Sequence, residues 1–189
     1  MHVGGHNHGA LTAFDAGDRR GRSGTWDGDG PGYGSPVAVD VDGTRQVVVL
    51  TQENVVGVVG GRPARCCGSG RSARRHTQNA ITPILYQPDG DRLGLDRASP
   101  PFRIVKKNGG WDTETVWENS DVAMAMSNGV IVHDTLVSLS HKNSGQFFRL
   151  DARTGKALWT SAPRQATNAA ISRAGDLPFV LKGRWRASS

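Results

Sequence analysis

Cys66 and Cys67 stand side by side in the stretch GRPARCCGSGRSARR, residues 61–75, among five arginines and no acid. They are the chain's only cysteines. Adjacent thiols can close a strained vicinal disulfide, because neighbouring Cα atoms across a trans peptide are only about 3.8 Å apart. They can also bind metal as thiolates, but two cysteines with a distant His76 lack the ligand spacing of a zinc site. Five arginines could neutralise phosphates. No aromatic residue interleaves them to stack on bases, so a nucleic-acid partner is not expected.

The other candidate groups are thinner. His2, His6 and His8 lie in HVGGHNH, a small imidazole cluster whose plainer reading is a frayed terminus. The run DGDGPGYG at 27–34 has acids and glycines, but lacks the glutamate that closes an EF-hand loop. Its glycines have no strand–turn–helix context, so they are not a dinucleotide fingerprint. Glu53, Glu114 and Glu118 form no evident acid–base pair. Lys106 and Lys107, in RIVKKNGG, read as a solvated hairpin. The residues alone identify no catalytic group and no metal ligand.

The elements that must carry these residues are strands. ALTAFDA, SPVAVDVDG, RQVVVLTQ, NVVGVV, AITPILYQ, FRIVKK, ETVWE, GVIVHD, LVSLS and QFFRLDA are short runs rich in Val, Ile, Thr and aromatics. Turn clusters such as VDG, PDGD, KNGG and SNG bound most of them. No window offers three turns of apolar residues at helical spacing. With 189 residues, 37% of them hydrophobic, a real core is affordable and a disordered chain is not expected. No apolar run approaches a membrane-spanning length. The N-terminus lacks a basic segment followed by an apolar core, so it does not read as a signal peptide. The formal net charge is +6, but it is local. Residues 60–76 carry +5, and residues 17–25 and 183–189 carry +2 each, leaving the remainder acidic.

Repetition selects the architecture. GYGSPVAV from Gly32, NAITPILY from Asn79, MAMSNGVI from Met124 and NAAISRAG from Asn168 start 47, 45 and 44 residues apart. Trp117 and Trp159 are 42 apart, and Trp26 and Trp117 are 91 apart, about two periods. A tryptophan is therefore missing near position 71, inside the cysteine-bearing stretch. The best-formed turn is LDARTGKALW, Leu150–Trp159. There Asp151 can cap the turn, Gly155 can take positive φ, and Trp159 can pack between neighbouring sheets.

This motif resembles the tryptophan-docking turn of the PQQ-type (pyrroloquinoline quinone) β-propeller repeat, in which an acidic residue, then Thr-Gly, then Trp closes each blade. GALTAFDA…W…GSPV at 9–37 looks like the same element. The resemblance spans nearly the whole chain outside the three Gly/Arg-rich patches. It implies an all-β fold: a propeller fragment of three to four blades, each a four-stranded antiparallel sheet. The domain is then a single partial ring over 1–189, interrupted by irregular patches at 17–25, 60–76 and 183–189. Each patch replaces an element the repeat requires, and the repeat resumes in phase. The patches read as out-of-frame translation of a GC-rich gene, with genuine insertion as the alternative.

The resemblance carries further expectations. Gly32, Asn79, Met124 and Asn168 should open the inner strands, with Tyr33 and Gln78 beside them. Asn79, Asn168, Gln78 and Tyr33 are the candidate ligand-facing residues of the funnel. Two functions follow: a non-catalytic interaction scaffold similar to the propeller lipoproteins of outer-membrane assembly, or a piece of a PQQ-dependent dehydrogenase. The second would use PQQ with calcium, and a vicinal disulfide lies over the quinone in related alcohol dehydrogenases. Here the pair Cys66–Cys67 falls where a blade-closing turn is due, and no ring-opening position is acidic. The expected role is therefore non-catalytic, with protein partners, in the periplasm or outside the cell. Further blades or another copy would be needed to close the ring.

Overall fold

A computed structural model describes residues 2–3, 10–18, 20–26, 30–52, 54–59, 80–86, 93–95, 101–124 and 126–183. Cys66, Cys67, His76, Gln78 and Asn79 lie outside the described residues. Among them the structure is nearly all β, with one short 3₁₀ turn at Lys142–Ser144. The strands are β1 (His2–Val3), β2 (Ala10–Phe14), β3 (Gly21–Trp26), β4 (Val37–Val41), β5 (Thr44–Leu50), β6 (Val55–Val59), β7 (Ile84–Tyr86) and β8 (Leu93–Leu95). They continue as β9 (Phe102–Lys107), β10 (Gly110–Thr115), β11 (Val130–Val132), β12 (Thr135–Ser140), β13 (Gln146–Asp151), β14 (Ala157–Thr160), β15 (Ala169–Ala174) and β16 (Leu177–Lys182). Every pairing with a described register is antiparallel and joins strands adjacent in sequence. Each sheet is therefore a meander, the short-range pairing that tight turns allow.

The chain divides into two compact units. The first comprises residues 1–83 and 102–114, and the second 84–101 and 115–189. In the first, β1-β2-β3 and β4-β5-β6 are three-stranded sheets, and β9–β10 is a hairpin. β5 explains the apolar run Val47-Val48-Val49-Leu50. Val48 and Leu50 join Val39, Val41, Val55, Phe102 and Ile104 on one face. Val49 joins Leu11, Val56 and Val58 on the other, with Val47 beside them. A strand buried on both faces loses the polar alternation of a half-exposed one. The hairpin turns are of the positive-φ kind. Asp42 and Gly43 (φ 46° and 72°) join β4 to β5, and Asn108 and Gly109 (φ 50° and 76°) join β9 to β10. The lysines of the second hairpin are solvated as expected. Lys107 pairs with Glu114 at 2.7 Å, and Lys106 lies 5.8 Å over the Trp111 ring.

In the second unit β7 pairs with β8, β11-β12-β13-β14 form a four-stranded sheet, and β15–β16 form a two-stranded one. Register fixes which residues of the four-stranded sheet share a face. Leu139 and Phe147 are paired across β12 and β13, and they pack with Val130 against Ala169 and Ile171 of β15. Leu136 lies on the opposite face, directly paired with Leu150. There Ile131 packs with Tyr86 of β7, Val116 and Ala152. A Cβ built at Gly129 would lie 2.9 Å from Ile84 Cδ1 and 3.0 Å from Leu136 Cδ1, so the glycine lets the elements approach.

Some strands fall where the sequence did not put them. Only Glu114 and Thr115 of ETVWE are in a strand: β10 ends at Thr115, and Trp117 lies beyond it. The Gly/Arg-rich patch at 17–25 supplies β3, paired along β2 with an irregularity between Leu11 and Ala13. Trp26 pairs across from Leu11, four residues before Asp15, whereas Trp159 pairs across from Arg149, two residues before Asp151.

Candidate interaction face

The turn after β13 is built as its sequence foretells. Asp151 Oδ1 accepts from the backbone N–H groups of Arg153 and Thr154, both at 2.9 Å. The Thr154 N–H is the largest influence holding the Asp151 carboxyl below the usual carboxylate range, with its hydroxyl, the Arg153 N–H and the Arg153 charge adding to it. Gly155 takes φ 73° and closes the loop by donating to the Asp151 carbonyl at 2.8 Å. The tryptophan packed on this turn is not Trp159. It is Trp117, whose Nε1 donates to the Ala152 carbonyl at 3.0 Å. Its ring lies where a Cβ at Gly155 would be, and Asn119 Nδ2 donates to the Gly155 carbonyl at 2.6 Å. Trp159 is half exposed, 50%.

A second set of contacts ties together segments 42 to 47 residues apart in sequence. In the first unit Gly34 lies against Ile81, where a Cβ would collide with the Ile81 carbonyl, and Ser35 N–H donates to Thr82 Oγ1 at 3.0 Å. In the second, buried Ser127 accepts from Ala169 N–H at 2.9 Å through Oγ. Asn128 Oδ1 accepts from Ile171 N–H at 2.9 Å while its amide donates to the Ile171 carbonyl. Arg173 Nη1 donates to the Ile131 carbonyl at 3.0 Å. These bonds join residues 47, 42, 43 and 42 apart in sequence, close to the period of the repeat.

Tyr86, Asp134 and Arg153 form a closed polar ring. Buried Tyr86 donates its hydroxyl to Asp134 Oδ1 at 2.6 Å and accepts from Arg153 Nε at 3.0 Å. Arg153 Nη2 approaches Asp134 Oδ2 at 3.3 Å. Burial, followed by the hydrogen bond to Asp134, pushes the Tyr86 pKa above the ordinary tyrosine value. The phenol therefore keeps its proton and locks three segments rather than serving as a base.

Against the face of Val137 and Arg149 lies an open groove of about 460 Å³, walled also by Phe147, Trp159, Pro178 and Val180. It sets Arg149, His133 and Asp176 beside the aromatic rings of Phe147 and Trp159, and sequence reasoning missed it. The available signal was LPFVLK, apolar at both parities, as an interior strand is.

The residues singled out in the sequence fall in separate units or outside the described residues. Tyr33 is 70% exposed in the first unit. Asn168 is exposed in the second, just before β15, with its carbonyl accepting from Gly183 N–H at 3.3 Å. Gln78 and Asn79 lie outside the described residues. Met124 is a buried core residue, bridged to Ser140. No family model matches this chain, and no curated protein matches it.

The described residues do not fit a calcium-bound quinone. Among them no three His, Cys, Asp or Glu side chains are grouped to hold a cation. The ring-opening residues Gly32, Met124 and Asn168 supply no carboxylate. Among the described residues no helix is long and apolar enough to cross a membrane.

Proposed function

We propose that this chain is a partial β-propeller of PQQ-like repeats and serves as a non-catalytic binding or interaction scaffold. The observation that carries the reading is the seat of Trp117 on the turn 151–155 of the following repeat. A tryptophan that reaches past its own strands to an Asp-capped, glycine-bearing turn is what a ring of stacked blades requires. The periodic hydrogen bonds between repeats support the same reading. So do the sheets, which are meanders packed on neighbours through both faces. The scaffold role follows from what the accessible groups are. Among the described residues they are open apolar surface and backbone edge, with one exposed acid–base pair, His133 and Asp176 at 3.4 Å. By the same resemblance the protein works outside the cytoplasm, with protein partners.

The test has a structural and a chemical arm. Experimental coordinates should relate Trp26, Trp117 and Trp159 by a common rotation from blade to blade. Titration with PQQ and Ca²⁺ should give no stoichiometric binding and no alcohol-dependent dye reduction. Turnover that Cys66→Ser abolishes would make the chain a piece of a quinoprotein dehydrogenase.

A further inference from the structure

β16 is apolar on both faces and covered on neither. Leu177, Phe179, Val180 and Leu181 are 64%, 54%, 42% and 78% exposed. Its pairing with β15 uses one backbone edge, and among the described residues no strand occupies the other. A strand of this composition at an open edge is a template for another strand. Beside it Trp159 stands half exposed in the open groove, opposite Arg149. Trp159 and β16 therefore lack the same thing: a strand pair whose turn offers a carbonyl and a small residue to an indole. The chain displays that solution once, where Trp117 sits on Ala152 and Gly155.

With the repeats taken as blades, as proposed above, the matching surface is β2–β3. Its turn opens with Phe14-Asp15-Ala16, the counterpart of Leu150-Asp151-Ala152. Asp15 Oδ1 accepts from Gly17 N–H at 2.8 Å and Asp18 N–H at 3.2 Å, the same cap that Asp151 makes. Leu11 faces the sheet β4–β6 and is buried. Phe14 is 45% exposed, whereas its counterpart Leu150 is 2% exposed. Asp15 and Asp18 on the turn would meet a groove that carries Arg149, with Asp176 engaged by His133 at 3.4 Å on its wall.

We propose that a second copy of this chain docks β2–β3 on β16 and Trp159, making one composite four-stranded blade from two halves. Trp159 Nε1 then donates to the Ala16 carbonyl, Phe14 covers the groove beside Arg149, and β16 pairs along β2 in place of the two-residue β1. The contact is head-to-tail, and each of two copies offers both halves of it.

Light scattering on the eluting wild-type protein should give twice the 20.2 kDa chain mass. Trp159→Ala and Asp15→Ala should each weaken the dimer by roughly tenfold or more, as loss of a central anchor does. Circular dichroism should be unchanged in both. Mixing the two variants should restore association, because one composite blade keeps both intact halves. A monomeric wild type overturns the proposal, as does a dimer indifferent to both substitutions or a mixture that stays monomeric. The blade reading fails separately, if Gly155 proves insensitive to a side chain.

Discussion

Gly155→Ala measures how much the seat of Trp117 contributes to the fold. Two costs add. At φ 73° a side chain enters the left-handed region, which costs about 1–2 kcal/mol for an L-residue. The new methyl also meets the indole: an ideal Cβ overlaps Trp117 Cε3 and Cδ2 and lies 2.9 Å from Cζ3. The ring must lift. It then loses contact with the turn and the 3.0 Å hydrogen bond to the Ala152 carbonyl, itself worth about 1 kcal/mol. With partial loss of ring burial the second cost is about 2 kcal/mol. The whole effect is then about 3–4 kcal/mol, a large share of a marginal stability. Gly43→Ala and Gly175→Ala isolate the backbone cost, since both residues have positive φ (72° and 58°) and nothing within 4 Å of an added Cβ. Urea unfolding followed by circular dichroism should place Gly155→Ala well below both. In a Trp117→Ala background, Gly155→Ala should cost no more than the two controls, and the difference is the coupling energy of the pair. If Gly155→Ala costs only what Gly43→Ala costs in the wild-type chain, the indole is not seated on the turn and the blade-to-blade reasoning fails.

Asn128→Ala removes both side-chain bonds to the backbone of Ile171 and should cost about 1–3 kcal/mol, with faster hydrogen exchange at the Ile171 amide. Tyr86 is held neutral, with its pKa raised first by burial and then by Asp134. Its stabilisation is complete below the ordinary value of about 10 and is lost as pH rises through the folded one. Tyrosinate absorbance in a Tyr33→Phe background should therefore appear late, and Tyr86→Phe should remove the alkaline limb of the stability profile. Asp151 is lowered, first by the Thr154 N–H, so its contribution is present above the ordinary carboxylate value of about 3.9 and disappears as pH falls through the folded one. Asp151→Asn should flatten the acid limb of that profile while keeping a side-chain oxygen for the turn.

The turn at 151–155 was legible because its chemistry is local. An aspartate caps the N–H groups two and three residues on, and a glycine takes the one φ that others resist. The choice of indole was not, because that contact spans 35 residues and the tryptophan spacing fits Trp159 as well as Trp117. β5 and β6 were legible as strands from their valines. β16 was legible only as apolar, and its lack of a cover is a tertiary fact. Tyr86, Asp134 and Arg153 carry no sequence signal at all, since a hydroxyl, a carboxylate and a guanidinium from three distant segments meet only after the sheets pack. Gln78 and Asn79 were chosen by repeat position alone, and their place lies outside the described residues.

The links between repeats show why the period is easier to see than the residues that use it. At Gly34 the first unit brings backbone to backbone by having no side chain, and Thr82 Oγ1 takes the neighbouring N–H. At the corresponding place in the second unit, Ser127 takes one N–H of the next strand and Asn128 takes the next N–H and carbonyl together. Glycine with threonine and serine with asparagine share no pattern as letters. They share a requirement: a backbone N–H near the start of a sheet is satisfied by a side chain 42 to 47 residues away, before it at Ser127 and Asn128 and after it at Thr82, because an unpaired N–H shut off from water costs about 1–3 kcal/mol. A fold held by that requirement tolerates changes of residue type so long as one acceptor reaches the same point. The turn at Gly155 has no such freedom, since what it offers the indole is the absence of atoms. The turn is thus recognisable by its letters, while the links at Ser35, Ala169 and Ile171 share only a hydrogen bond to a side chain distant in sequence.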